Sequence, residues 1–209
     1  MPKALSIQNL YSKTFQTLQM DGDLATVFGQ PEANGAWLIW GKDKNGKTRW
    51  SLQLADYLSK QLSVLYVPAE EGFGKAFVES CQRANIDTKN KSLRFLEYIS
   101  VIDLMERLSK RRGEDVVFID NVTFYNDELK HGVLKKLLQA FPKKLFVFIA
   151  HEDRNEPHTS TAKLIKKLAK VIMYVEGMSC VVSGRVPGGM LHIDESKAKI
   201  YHGEKKEDV

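Results

Sequence analysis

Gly41-Lys42-Asp43-Lys44-Asn45-Gly46-Lys47-Thr48 is the stretch on which the fold turns. Its spacing is Gly, four residues, Gly-Lys and then Ser or Thr, the signature of a loop that cradles phosphate groups. At average residue usage a chain of this length meets that spacing by chance about once in a hundred. The flanks supply the setting the chemistry requires. Ala36–Trp40 is an apolar run of strand length, and Lys47–Gln61 follows with Trp50, Leu54, Tyr57 and Leu58 at helical spacing. In a strand–loop–helix, successive backbone N–H groups converge on phosphate oxygens and the helix N-terminus adds a favourable dipole. Gly41 and Gly46 permit the loop, Lys47 neutralises phosphate charge, and the Thr48 hydroxyl is a ligand for Mg²⁺. Asp43, Lys44, Asn45 and Arg49 complete the set expected to line a bound nucleotide.

Outward from the loop, four more short apolar runs follow: Val64–Val67, Leu93–Leu96, Val116–Ile119 and Leu145–Ala150. Between them Lys75–Ala84, Val101–Arg111 and Glu128–Ala140 have helical spacing. Strands alternating with helices predict an α/β fold whose mostly parallel sheet is covered on both faces. A basic helix at Ser160–Leu168 leads to three C-terminal strands, Val171–Glu176, Ser179–Ser183 and Met190–Ile193, expected to pair antiparallel. The tail Lys197–Val209 is read as one more strand before a charged end, Glu204–Asp208, that frays. Residues 1–34, helix-like around Ile7–Leu18 and turn-rich from Asp21, are taken as a lead-in packed on the sheet. The core then spans 35–203 and the charged tail 204–209.

A phosphate loop binds; hydrolysis needs a further metal-shell carboxylate and a group that orients water. Asp115-Val116-Val117-Phe118-Ile119-Asp120 offers the first, placing Asp120 at the C-terminal end of a buried strand, where ligands bind in open α/β sheets. Thr48 and Asp120 are thus the expected metal ligands. Glu70 and Glu71, just past Val64–Val67, are candidates for aligning the attacking water.

The composition agrees with one globular domain. The 209 residues are 43% hydrophobic and 27% charged, with 14 Gly and 6 Pro, which excludes a low-complexity or collagen-like chain. Cys81 and Cys180 sit in apolar stretches, read as buried inert thiols of a reducing compartment. No run approaches the roughly 18 apolar residues of a membrane span and no signal-peptide core follows Met1, so a cytoplasmic protein is expected. The three tryptophans near the loop, Trp37, Trp40 and Trp50, are expected to pack in the core.

The order of these motifs resembles the core of the RecA/RadA/DnaB-type ATPases. The matching stretches are Trp40–Thr48, Val64–Glu71, Val116–Asp120, Phe146–His151 and Leu168–Gly177, within a span from Gly35 to Ile193. The resemblance implies a P-loop NTPase with a RecA-like sheet, and a water-activating role for Glu70 with Glu71 second. It also implies a γ-phosphate sensor at His151. Val181-Val182-Ser183-Gly184-Arg185 is similar to the segment that carries basic fingers across a subunit interface. Arg185 matches its arginine, and Ser183 stands where that family often has lysine. With no zinc module, helical N-terminal domain or protease-like C-terminal domain, the chain looks like the compact RecA-like proteins of phages and mobile elements.

Lysine and arginine total 31 against 26 acids, a formal charge of +5. Between Lys130 and Lys170 ten basic residues face three acids, so that segment alone carries +7. It brackets His151–Thr161, which in the resembling family is a DNA-contacting loop, and single- or double-stranded DNA is therefore the expected partner. The competing reading is ordinary solvated helix faces. Phe124 and Tyr125 are the nearby aromatics suited to stacking on bases. The expected function is a Mg²⁺-dependent ATPase coupled to DNA binding in recombination, repair or replication, working as a ring or filament. The alternatives are a non-catalytic, nucleotide-dependent interaction or loader module and, further off, a small-molecule kinase, for which the chain shows no arginine-bearing lid.

Overall fold

The computed structural model describes residues 4–203. The fraying end Glu204–Asp208 and the tail 204–209 lie outside the described residues.

Among the described residues nine strands form one sheet around the loop-bearing strand β1, Gly35–Gly41. The others are β2 (Val64–Pro68), β3 (Leu93–Phe95), β4 (Val116–Asp120), β5 (Leu145–Asp153), β6 (Glu156–Pro157), β7 (Val171–Glu176), β8 (Ser179–Gly184) and β9 (Gly189–His192). Their order is β3-β2-β4-β5-β1-β7-β8-β9, with the short β6 paired to the end of β5. From β3 to β7 every neighbour is parallel, while β7–β8 and β8–β9 are antiparallel. The expected α/β architecture, mostly parallel with C-terminal antiparallel strands, is the one observed.

Continuous apolar runs follow from burial on both faces. Along β5, Leu145, Val147 and Ile149 enter one core and Phe146, Phe148 and Ala150 the other. Trp37 and Ile39 of β1 point the first way, Ala36, Leu38 and Trp40 the second. Helices α2 (Gly22–Phe28), α3 (Lys47–Ser59) and α4 (Lys75–Arg83) supply the first face; α5 (Val101–Ser109), α6 (Val133–Ala140) and α7 (Ser160–Leu168) supply the second. All three tryptophans are buried, and the Lys166 ammonium sits 4.2 Å over the Trp40 ring. No helix among the described residues is long and apolar enough to cross a membrane.

Several local expectations are corrected. In the described part of the lead-in the helix expected around Ile7–Leu18 is the five-residue α1, Ile7–Tyr11, with no buried side chain, and the stretch read as turn-rich from Asp21 forms α2; contact with the core comes from Leu18 and from Val27 and Phe28 of α2. The helix expected from Glu128 starts at Val133, because His131 and Gly132 adopt positive φ of 53° and 87° and break the turn before it. Of the tail read as a strand from Lys197, the described residues form a helix, α8 (Glu195–His202), instead. Asp194 caps it, accepting from Lys197 N at 3.2 Å, and Gly203 with φ 76° ends it. Finally, β5 runs past Ala150 and turns into β6 through Arg154 and Asn155, whose φ of 51° and 63° make a two-residue hairpin.

Candidate nucleotide-binding site

β1 ends in the loop, and its geometry explains the two glycines. A Cβ on Gly41 would run into the Val175 carbonyl of β7, and one on Gly46 would come 2.7 Å from Met178 Sδ; both backbones have positive φ. The loop curls around Lys47, which is 7% exposed. Its ammonium donates to the carbonyls of Gly41 at 2.9 Å and Lys42 at 2.8 Å, and to Asp43 Oδ1 at 3.4 Å. Burial draws Lys47 below the usual lysine range, against the raising effect of Asp43.

Parallel register carries the remaining groups to the same end of the sheet. β1 pairs Gly41 with His151 of β5, and β2 pairs Pro68 with Asp120 of β4, so Glu70, Asp120 and His151 emerge beside the loop. His151 spans two carboxylates, Nδ1 against Asp43 and Nε2 3.0 Å from Glu70 Oε2. Asn121 is 1% exposed; its side-chain amide donates to Glu70 and lies 2.6 Å from His151 Nε2. Partial burial works against it, but the charges of His151 and Lys47 hold Asp43 below the usual carboxylate range.

Asp120 is set apart from that cluster. Burial pushes its carboxyl up to about 6, partly offset by a 2.6 Å hydrogen bond from the Tyr66 hydroxyl; neighbouring Glu71 and Glu70 raise it further. Tyr66 is itself fully buried, its hydroxyl 2.8 Å from Ser51 Oγ on α3, which ties β2, β4 and the loop's helix through one polar chain.

One cavity of about 730 Å³ takes in Asp43, Lys44, Gly46, Lys47, Thr48, Arg49, Glu70, Glu71, Asp120 and His151. Arg49 reaches across to Asp194 at 2.6 Å, and α4 adds Glu79, Ser80 and Arg83 to the far wall. Asn45 faces the adjoining side, where its Oδ1 accepts from Gly177 N at 2.8 Å. Arg185 is not brought to this cleft. It follows β8, which runs away from the loop, and its N–H bonds Lys170 O at the opposite end of the sheet, near Glu32. Tyr125 is fully buried, its hydroxyl on Ile99 O at 2.9 Å, so the stacking pair reduces to Phe124, 52% exposed. Asn121 and Tyr66 are the groups that sequence reasoning missed. The only linear signal for Asn121 was its place after the strand-end Asp120.

The donor set suits magnesium. Thr48 and Asp120 offer hard oxygen donors to the same cavity, and among the described residues no three His, Cys, Asp or Glu side chains converge to hold a metal by themselves. Mg²⁺ is commonly held in this way, through one or two side chains together with phosphate oxygens and waters.

No family model matches the chain, and no curated protein matches it in sequence. In three dimensions it is similar to the flagellar accessory protein FlaH of Methanocaldococcus jannaschii, with a TM-score of 0.61 and 17% identity over 84% of this chain and 91% of that one. It is also similar to a KaiC-like protein of Pyrococcus horikoshii, with a TM-score of 0.62 and 14% identity over 86% and 92% of the two chains. These likenesses establish a RecA-like P-loop fold.

Proposed function

We propose that the protein binds ATP with Mg²⁺ and hydrolyses it to ADP and phosphate, as the compact phage and mobile-element members of the RecA-like class do. The observation that carries this reading is the convergence of Glu70, Asn121 and His151 on one hydrogen-bonded cluster facing Lys47 across a single cleft. In it Lys47 and the loop amides of residues 43–49 hold phosphate, and Thr48 and Asp120 hold the metal. Bound magnesium would neutralise phosphate charge. Glu70 aligns the attacking water; Asn121 fixes the carboxylate's orientation, and His151 reads the terminal phosphate through the bonds it makes to Asp43 and Glu70.

Coupling to DNA is the finer part of the proposal. The hairpin after His151 carries Glu152, Asp153 and Glu156 against Arg154, so it repels a phosphate backbone rather than tracking it. Lys130, Lys144, Lys166 and Lys170 are engaged by Asp127, by the Gly113 and Glu114 carbonyls, by Glu156 and by Glu32. The basic groups left for a backbone are on the α6–α7 face, chiefly Lys135, Lys136, Lys163 and Lys167. Ser183, which stands where the resembling family often has lysine, favours a second reading, a nucleotide-dependent interaction module; Arg185 could meet a cleft only across an interface with a second copy.

ATP turnover with and without single-stranded DNA separates these readings. Turnover lost in both Glu70→Gln and Lys47→Ala, by about a hundredfold or more, is the expected result. Tight ATP binding without turnover in the wild type would leave the interaction module, and turnover indifferent to DNA would remove the DNA coupling.

A further inference from the structure

The two residues assigned to the metal, Thr48 and Asp120, are joined by a row of hydroxyl groups. The Tyr66 hydroxyl donates to Asp120 Oδ2 at 2.6 Å, and Ser51 Oγ lies 2.8 Å from that hydroxyl and 3.0 Å from the Thr48 carbonyl oxygen. Strand side chains alternate between faces, so Tyr66 of β2 and Phe118 and Asp120 of β4 share the face that α3 covers. Tyr66 is fully buried among aromatic rings. Phe118 stacks on it with centroids 5.5 Å apart, and Phe77 and Phe95 each lie 5.8 Å away. A ring packed in this way fixes where its hydroxyl sits. The Asp120 main chain is held as well, its carbonyl accepting from Glu70 N at 3.2 Å.

A carboxylate has two oxygens, and the protein engages one of these. Among the described residues no hydrogen bond reaches Asp120 Oδ1, and Asp120 lines the cavity that Thr48 also lines. Tyr66 thus takes Oδ2 and leaves Oδ1 for a ligand. The difference matters to a divalent ion. Mg²⁺ demands near-octahedral geometry and keeps several waters, which suits a single oxygen from each protein ligand; Ca²⁺ takes more oxygens in flexible geometry and accepts both oxygens of one carboxylate.

We propose that Tyr66 is a positioning residue that sets which divalent cation accompanies the nucleotide: by holding Asp120 Oδ2 it confines the carboxylate to one-oxygen coordination and so favours Mg²⁺ over Ca²⁺. The inference rests on the nucleotide and metal reading above and names what gives that site its cation preference. Removing a partner that orients a metal ligand typically costs about tenfold to a hundredfold in metal affinity. Tyr66→Phe is a clean probe, because the ring keeps its packing against Phe77, Phe95 and Phe118 and only the hydroxyl is lost.

Calorimetric titration of the full chain with the β,γ-imido analogue of ATP, which is not hydrolysed, tests this in excess Mg²⁺, in excess Ca²⁺ and in EDTA. In the wild type Mg²⁺ should strengthen binding about tenfold more than Ca²⁺ does; this comparison needs no variant to fold. In Tyr66→Phe, binding in EDTA should stay within about twofold of wild type while the preference for Mg²⁺ falls about tenfold. Adding Tyr66→Phe to Asp120→Asn should move the preference by less than about twofold, since the tyrosine acts through that carboxylate. Equal strengthening by the two ions in the wild type, a preference retained in Tyr66→Phe, or weakened binding of that variant in EDTA would each overturn the inference. So would a parallel loss of both ions' effect, which would mark a change in the carboxyl's charge rather than in its presentation. Analogue binding that neither ion strengthens would remove the metal role and the inference while leaving the phosphate site standing. Failure of the wild type to bind the analogue under all three conditions would overturn the nucleotide reading itself.

Discussion

The Asp43 carboxylate meets both Lys47 and His151, offering these two groups the negative oxygen that a phosphate would offer. An incoming phosphate competes with it. Asp43→Asn should therefore tighten ATP binding about twofold to fivefold, the scale of one exposed ion pair; weaker binding in a titration would show instead that Asp43 helps hold the ligand. Asp120 has the opposite problem, a carboxyl raised by burial from 3.8 to about 6. Between those values the folded chain retains a proton that the unfolded chain has released, so Asp120 lowers stability as pH rises through that window. Asp120→Asn should stabilise the metal-free protein by about 1–3 kcal/mol near pH 7.5 and by less near pH 5. Urea denaturation at both values measures this, and an equal gain at the two would point to a cause other than ionisation. Lys47, Thr48 and Asp120 were legible in the sequence because loop spacing and a strand-end acid are local patterns. Asn121 and Tyr66 were not. Their roles arise from hydrogen bonds between β2, β4, β5 and α3, whose pairing no local pattern states.

The strand-and-helix alternation was readable because the central strands β1, β2, β4 and β5 are buried on both faces and each covering helix has one apolar stripe. The elements that escaped have weak patterns or conflicting ones. The hairpin at Arg154–Asn155 lacks the glycine that usually marks a turn with two positive φ values. Helix α8 did carry its signals, Asp194 at the N-cap and Gly203 after the last turn, but Ile200 and Tyr201 resembled a strand's apolar pair. Asp194 does two things for this element, capping it and holding Arg49. Asp194→Ala should cost about 1–2 kcal/mol, seen as a lowered Tm. The loss should be largely restored by Asn, which caps as well but gives up the charge. A full loss in the Asn variant would assign the effect to the Arg49 pair.

At the scale of the whole molecule, the buried apolar side chains run from Leu18 to Ala198, and residues 4–15 are peripheral. Leu5, Ile7, Leu10, Tyr11 and Phe15 are all at least half exposed. Removing residues 1–15 should change Tm by no more than about 2 °C, since surface deletions away from buried contacts stay within about 0.5 kcal/mol. A large drop on thermal unfolding would show that this segment is held by contacts not seen in the single chain. The charge imbalance reads differently once folded. Part of the +7 segment is neutralised by local partners, and the rest is spread over the α6–α7 face.

The strand order has a dynamic consequence. β1 lies between β5 and β7 with parallel neighbours on both sides, so the loop grows from the interior of the sheet, while β3 and β9 take the edges. Amide hydrogens of β1, β4 and β5 should therefore exchange with solvent only through global opening, and those of α8 and the β5–β6 hairpin through local fluctuations. The cleft is thus a rigid floor with softer walls, and its capacity to open and close belongs to the walls.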